Sequence, residues 1–370
     1  MRHIKVDMPF LVSVCILVVA GYLIFASASL GLLSKQAVKY GNVAFNQTFF
    51  GLFLGLLAMF ITSQIDYKIY RKYSFYIFVF VVFVTLLVFV PGLGIEHAGA
   101  KRAIYLGPAS FQPAELLKIG FIIYFSAWMA KVKAEGKNSA ATFKYGLLPF
   151  GILSAIVGAI LLSQPDTDTF LITIFAGLAI FLVGGGKWKH IFLLSLIGLL
   201  GITIIAYNRP YVMNRINTFI HPSENSLGSG YQIQQSLIAI GSGGFGGRGF
   251  GQSIQKFNYL PEPIGDSIFA VAGEEFGFVG TSFIVLLFLF FAFRGLKIAT
   301  NVPDSFGRLL GLGIVIMIIS QAFVNIGAMV GLLPLSGITL PFISHGGTAL
   351  FMTLAEVGIV LNISKNRKRK

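Results

Sequence analysis

Ten apolar runs divide this chain, at about 8–30, 46–65, 74–93, 113–130, 146–163, 169–185, 190–207, 267–293, 308–330 and 342–362. Each is close to the roughly 20 residues a helix needs to cross about 30 Å of hydrocarbon. A membrane barrel would show short alternating segments instead. Composition agrees: 55% of residues are hydrophobic and 11% charged, against about a quarter charged in ordinary globular domains. A mean hydropathy of +0.81 leaves too little polar surface to cover a soluble particle. A cytosolic enzyme, a secreted domain and a disordered chain are excluded. The expected fold is an all-α polytopic membrane protein of about ten transmembrane helices, with residues 1–370 forming a single membrane domain. A lone cysteine, Cys15, excludes a disulfide framework.

The net charge of +14 would suit nucleic acid, but its distribution does not. Ten spans put both termini on one side. If that side is the cytoplasm, its segments hold 19 of the 28 Lys and Arg, including Lys68, Arg71, Lys72, Lys131, Lys133, Arg294 and the tail from Lys365. This positive-inside bias predicts N-in, C-in. The short basic tail suits anionic lipid headgroups; no nucleic-acid partner is expected. Arg2, His3 and Lys5 before an apolar stretch resemble a signal peptide, but the stretch is long and lacks a convincing cleavage site, so a retained first helix is expected.

One long outer segment, 208–265, separates spans seven and eight, and such loops are usually functional. Val212, Ile216 and Phe219 share one face of a short amphipathic helix, and Ile233, Leu237 and Ile240 share a face of a second. Seven glycines follow within residues 241–251, giving a backbone free to lie close to a ligand. Gly241–Gly246 formally matches GxGxxG, but no strand precedes it and no Walker lysine follows, so a loop is the expected reading.

Four of the 14 acidic residues fall within spans: Glu115, Glu274, Glu275 and Glu356. Ionisable groups there are costly, and are functional or paired by default. Glu115 and Lys118 lie three apart on one helix face, either as a structural ion pair or lining a polar cavity near Lys101 and Arg102. Asp266 stands where the long loop meets span eight. It either caps that helix or serves as a general base at the aqueous boundary. Asp166 and Asp168 flank another span start, where capping is favoured over metal binding. His97, His190 and His345 are scattered and lack ligand spacing.

Three stretches resemble the SEDS family, that of FtsW, RodA and SpoVE. One runs from Gly99-Ala100-Lys101-Arg102 to Phe111-Gln112-Pro113-Ala114-Glu115-Leu116-Leu117-Lys118. The second runs from Gly230-Tyr231-Gln232 through Tyr259-Leu260-Pro261-Glu262 and Asp266-Ser267-Ile268-Phe269-Ala270 to Glu274-Glu275-Phe276-Gly277. The third is Leu333-Pro334-Leu335-Ser336-Gly337 to His345-Gly346-Gly347. With the ten-span layout they cover the whole chain. The resemblance implies a peptidoglycan glycosyltransferase in the bacterial cytoplasmic membrane that polymerises lipid II at the outer face and releases undecaprenyl pyrophosphate. It implies a class B penicillin-binding protein as partner, together with the division or elongation machinery. The family's essential aspartate maps to Asp266, and its buried Glu and Lys to Glu115 and Lys118. The chain departs from the family at Ile264-Gly265, at Ala103 and at His345, which leaves open what hydrogen-bonds Asp266. The motifs lean toward FtsW, the division member, over RodA.

The expected reaction is an inverting sugar transfer with Asp266 as base. Lys101 and Arg102, with Arg209, Arg215 or Arg248, would neutralise the leaving pyrophosphate. A divalent cation, Mg2+ or Mn2+, would help, but no dedicated cage stands out. A lipid-precursor flippase is the rival, with Glu115, Lys118 and Glu356 along its path. A scaffold that only anchors its partner is the third reading.

Overall fold

A computed structural model describes all residues except 1–5, 34–36, 98–99, 107–108, 135–141, 209, 223–227, 229 and 367–370. Arg2, Lys5, Lys137, Arg209 and the basic tail from Arg367 therefore lie outside the described residues.

A helix covers every apolar run. They are α1 (Met8–Leu33), α2 (Ala37–Phe45) continuing through a π-helical stretch into α3 (Leu54–Gln64), α4 (Lys68–Leu86), α5 (Pro113–Ala134), α6 (Leu148–Ser163), α7 (Thr167–Val183), α8 (Trp188–Asn208), α11 (Ile268–Thr300), α12 (Ser305–Met329) and α13 (Gly347–Ser364). Between α8 and α11 lie the two short helices anticipated from periodicity, α9 (Pro210–Ile220) and α10 (Tyr231–Ser242). Among the described residues, seven helices are long and apolar enough to cross a membrane. The fold is therefore a multi-spanning helical bundle.

The chain is not purely helical. Residues between α4 and α5 form an antiparallel sheet of β1 (Gly94–His97), β2 (Ala100–Leu106) and β3 (Ala109–Phe111), with a register irregularity at Ile95/Glu96. The sequence pattern did not point to it, because β1 and β3 are short and β2 does not alternate between apolar and polar residues.

The core lies around α12. It packs against α5, α7, α11 and α13, and Leu310, Ile314 and Val315 are fully buried. Small residues permit close approach where lipid supplies no hydrophobic drive. A Cβ at Gly358 of α13 would run into the Met59 carbonyl and the Thr62 hydroxyl of α3, which itself donates to the Ala355 carbonyl at 2.9 Å. One end of the bundle is clamped by ions and amides. Arg294 donates to both oxygens of Asp7 at 2.9 and 2.7 Å, and Asn362 bridges the Tyr67 N–H and the Ser63 carbonyl. The opposite end carries the sheet, α9, α10 and the irregular segment 330–346.

Helix α11 is broken at Gly277, which takes φ 63°, ψ −161°, a conformation closed to side-chain-bearing residues. Breaking a helix strands backbone groups that lipid cannot satisfy. The glycine-rich turn supplies the partners. Arg248 N and Gly249 N donate to the Glu274 and Glu275 carbonyls at 3.0 Å each. Phe278 N and Val279 N donate to the Gly244 and Phe245 carbonyls at 2.9 and 3.2 Å. The glycine run thus lies close to another stretch of its own backbone, where the sequence suggested a ligand.

Candidate functional site

Asp266 sits half-buried in the turn that leads into α11. It does not cap that helix. The N-cap is Ser267, with no side-chain capping bond. The Asp266 carboxylate instead accepts from Gln232 Nε2 of α10 at 3.2 Å on Oδ2. Its Oδ1 is buried without a hydrogen-bond partner.

Three consecutive carbonyls fix the backbone here. That of Ile264 accepts from His345 N at 2.7 Å, that of Gly265 from Ser344 Oγ at 2.7 Å, and that of Asp266 from Asn325 Nδ2 at 2.8 Å. Glu262 takes a left-handed φ of 44°, and its carbonyl accepts from Gly265 N and Ser267 N, closing the turn on itself. Burial pushes the Asp266 carboxyl up to about 6; the Gln232 bond opposes the rise and the nearby Glu262 charge adds to it. His345, its ring stacked on Phe25 at 5.8 Å, is pushed by burial down to about 4 and stays neutral.

A second cluster adjoins the first through α12. Lys118 pairs with Glu115 at 2.9 Å and donates to Gln321 Oε1 at 2.8 Å. Gln321 Nε2 in turn donates to the Thr339 carbonyl at 3.1 Å. Four residues on, Asn325 makes the same kind of bond to Ile338 while holding Asp266. Two amides one turn apart on α12 therefore tie both clusters to segment 338–339.

Arg102, on β2, donates from Nε to the Gln164 carbonyl at 3.2 Å and from its terminal nitrogen to the Pro165 carbonyl. Arg102, Glu115, Lys118, Asp166 and Gln321 line one cavity of about 30 Å³, room for one or two waters. Asp166 caps α7 through Thr169 N, yet its Oδ2 is buried and unpartnered, and burial pushes its carboxyl up against the pull of Arg102. Glu356 of α13 is buried, interacts electrostatically with both Lys118 and Glu115, and leaves Oε1 unpartnered.

Other charges go elsewhere. Arg248 lies on Glu274 at 3.5 Å, outside the lining of this cavity. Arg215 of α9 pairs with Asp168 at 2.7 Å. Lys101 occupies β2 opposite Glu96, but its side chain lies outside the described residues, as does Arg209. Sequence reasoning gave no role to Gln232 and Ser344, which fall within the motif stretches, and passed over Gln321 and Asn325. Polar side chains four apart inside the apolar run of α12 were the available signal.

The chain matches the family of FtsW, RodA and SpoVE, described as "Cell cycle protein", over residues 8–369. Stage V sporulation protein E of Bacillus subtilis (strain 168) is 41% identical over 314 residues, 84% of either chain. The probable peptidoglycan glycosyltransferase FtsW of Geobacter sp. (strain M18) is 36% identical over 369 residues, 98% of either chain. A chain from a solved peptidoglycan synthase complex that coordinates polymerization and crosslinking superposes with a TM-score of 0.79 at 27% identity, covering 99% of both chains.

Proposed function

The chain belongs to the family of FtsW, RodA and SpoVE, and on that premise we propose that it is a peptidoglycan glycosyltransferase polymerising lipid II with Asp266 as its base. Asp266 Oδ1 takes the proton from the 4-hydroxyl of the acceptor glucosamine. That oxygen bonds to the anomeric carbon of the donor muramyl sugar, the carbon–oxygen bond to the pyrophosphate breaks, and undecaprenyl pyrophosphate leaves with the electron pair. One base suffices, because a pyrophosphate needs charge neutralisation more than protonation. Lys101 and Arg102, neighbours on β2, are the cations that serve this need.

The observation that carries the reading is the carboxylate itself. Its backbone is held at three successive carbonyls, one oxygen is anchored and the other is unspent. A weakly acidic base near 6 is deprotonated at neutral pH yet basic enough to share a proton in the transition state. The residues present do not fit a resident divalent cation. Among the described residues no three His, Cys, Asp or Glu converge, and the two carboxylates of the cavity share it with Arg102 and Lys118. No step above needs a metal.

In this reading ten helices span the cytoplasmic membrane, both termini face inward, and the end bearing the sheet, α9, α10 and Asp266 faces outward to meet exported lipid II. A class B penicillin-binding protein docks alongside, as the synthase-complex neighbour supports. Septal synthesis is the role in this reading and elongation its alternative; the relatives carry both division-type and sporulation names. Polymerisation of purified lipid II by the purified protein with its cognate partner, beside Asp266→Asn, tests the reading. Glycan from wild type alone supports it. Equal glycan from both removes Asp266 as base. Labelled lipid II crossing vesicle bilayers without polymer would make the chain a flippase.

A further inference from the structure

We propose that Gln232 is a positioning residue for the reaction: its amide holds Oδ2 of Asp266 and thereby reserves Oδ1 as the oxygen that takes the acceptor's proton. The inference rests on the reading of Asp266 as base, and goes beyond it by assigning the two carboxylate oxygens different tasks.

A carboxylate on a short side chain turns readily about its last bond, which exchanges its oxygens. Something must stop that turn if one oxygen is to face the acceptor reproducibly. Gln232 Nε2 has two hydrogens. One goes to Asp266 Oδ2 at 3.2 Å and the other to Ser267 Oγ at 3.0 Å. The second bond keeps the amide from swinging away with the carboxylate. Gln232 is itself fixed, because it stands in the first turn of α10, whose Ile233, Ser236 and Ala239 are buried. Ser236 Oγ reaches Met329 Sδ of α12 at 3.5 Å, and Gly273 of α11 gives α10 a close seat beneath Ile240. The anchor of the base is thus carried by a helix of the long inter-helix segment, not by α11 where the base resides. Oδ1 has no partner from any element packed against it. Asn325 Oδ1 and His345 Nε2 beside this turn are also unpartnered; what sets Oδ1 of Asp266 apart is that the other oxygen of the same carboxylate is anchored.

The same bond stabilises the charged form of Asp266, against burial and Glu262. The other groups facing this turn do not compete. Asn325 and Ser344 bind carbonyls and carry no charge, and the buried His345 ring is neutral through the neutral range. Loss of Gln232 should therefore show as a displaced acid limb in the pH–rate profile.

The experiment measures lipid II polymerisation by the protein–partner complex from pH 5.5 to 9 for wild type, Gln232→Met, Gln232→Glu and Asp266→Asn, at matched membrane levels. Gln232→Met keeps length and removes both donors. The acid limb is expected to move up by roughly half to one pH unit, with the rate about tenfold down at pH 6 and within about threefold of wild type at pH 8.5. Gln232→Glu keeps polarity and size, so it guards against misfolding, and its added charge should move the limb further. A uniform loss at every pH, or an unmoved limb in both variants, overturns the positioning role while an inactive Asp266→Asn leaves the base intact. A fully active Asp266→Asn overturns the underlying reading.

Discussion

Asp266 and Glu274 stand eight residues apart at the start of one helix, and the protein treats their carboxylates in opposite ways. Glu274 is fully buried and saturated. Its Oε2 accepts from Ser253 Oγ at 2.6 Å and Gln255 N at 3.1 Å, and its Oε1 from Ile254 N at 3.1 Å with Arg248 beside it. Next to it, Glu275 Oε1 gathers Ser27 Oγ at 2.6 Å and Lys256 at 2.8 Å, joining α1, α11 and the glycine-rich turn at one point. Asp266 has one side-chain contact on one oxygen and none on the other. Glu274 has its lone pairs spent and holds structure. Asp266 keeps one oxygen empty, as Glu275, Asp166 and Glu356 also do, and differs from these three in lying half-buried rather than buried.

The sharpest way to break this contrast is to neutralise each kind of carboxylate. Asp266→Asn should lower polymerisation by about 10²- to 10⁴-fold, the usual worth of a general base, with normal folding by size-exclusion profile. Lys256→Met should act through stability. Lys256 and Glu275 are both fully buried, and removing one partner of such a pair costs about 3–5 kcal/mol; a thermal scan in detergent checks this, and the Lys256→Met/Glu275→Leu double variant should recover most of the loss. Gly277→Ala should cost about 1–3 kcal/mol from its backbone conformation alone, and should free the glycine-rich turn, read as faster proteolysis between α10 and α11.

The smallest effect is the most discriminating. The folded carboxyl of Asp266 titrates near 6 rather than near 3.8, so folding favours its protonated form. Wild-type stability therefore falls as pH rises from about 4 to about 6 and stays lower above that. Asp266→Asn, which never carries the charge, should melt a little higher than wild type at pH 8 and at the same temperature near pH 3.5. An equal difference at both would mean that the turn does not strain the charge.

Much of this contrast could be read from the sequence, and the reason some of it could not is physical. Asp266, Arg102 and the Glu115–Lys118 pair stood out because charge is rare in an apolar chain. The pair's i,i+3 spacing alone put them in contact. Gln232, Gln321, Asn325 and Ser344 carry no charge, and their partners are carbonyls or carboxylates distant in sequence, which no local pattern encodes. The break at Gly277 hides inside a continuous helical pattern, since glycine is tolerated in a helix at a cost of about 1 kcal/mol. The sheet at 94–111 was missed for the opposite reason: β1 and β3 are short, and the seven residues of β2, Ala100–Leu106, do not alternate between apolar and polar.

The stitching of Gly244–Gly249 onto the broken helix bears on how the chain is made. Synthesis runs from the N-terminus, so the glycine-rich turn leaves the ribosome before Glu274–Val279 does. When α11 enters the bilayer, the four backbone groups it cannot pair within itself already have partners waiting. A circular permutant that places α11 ahead of the turn would keep every contact of the finished fold, yet would bring the interrupted helix into lipid before its partners exist.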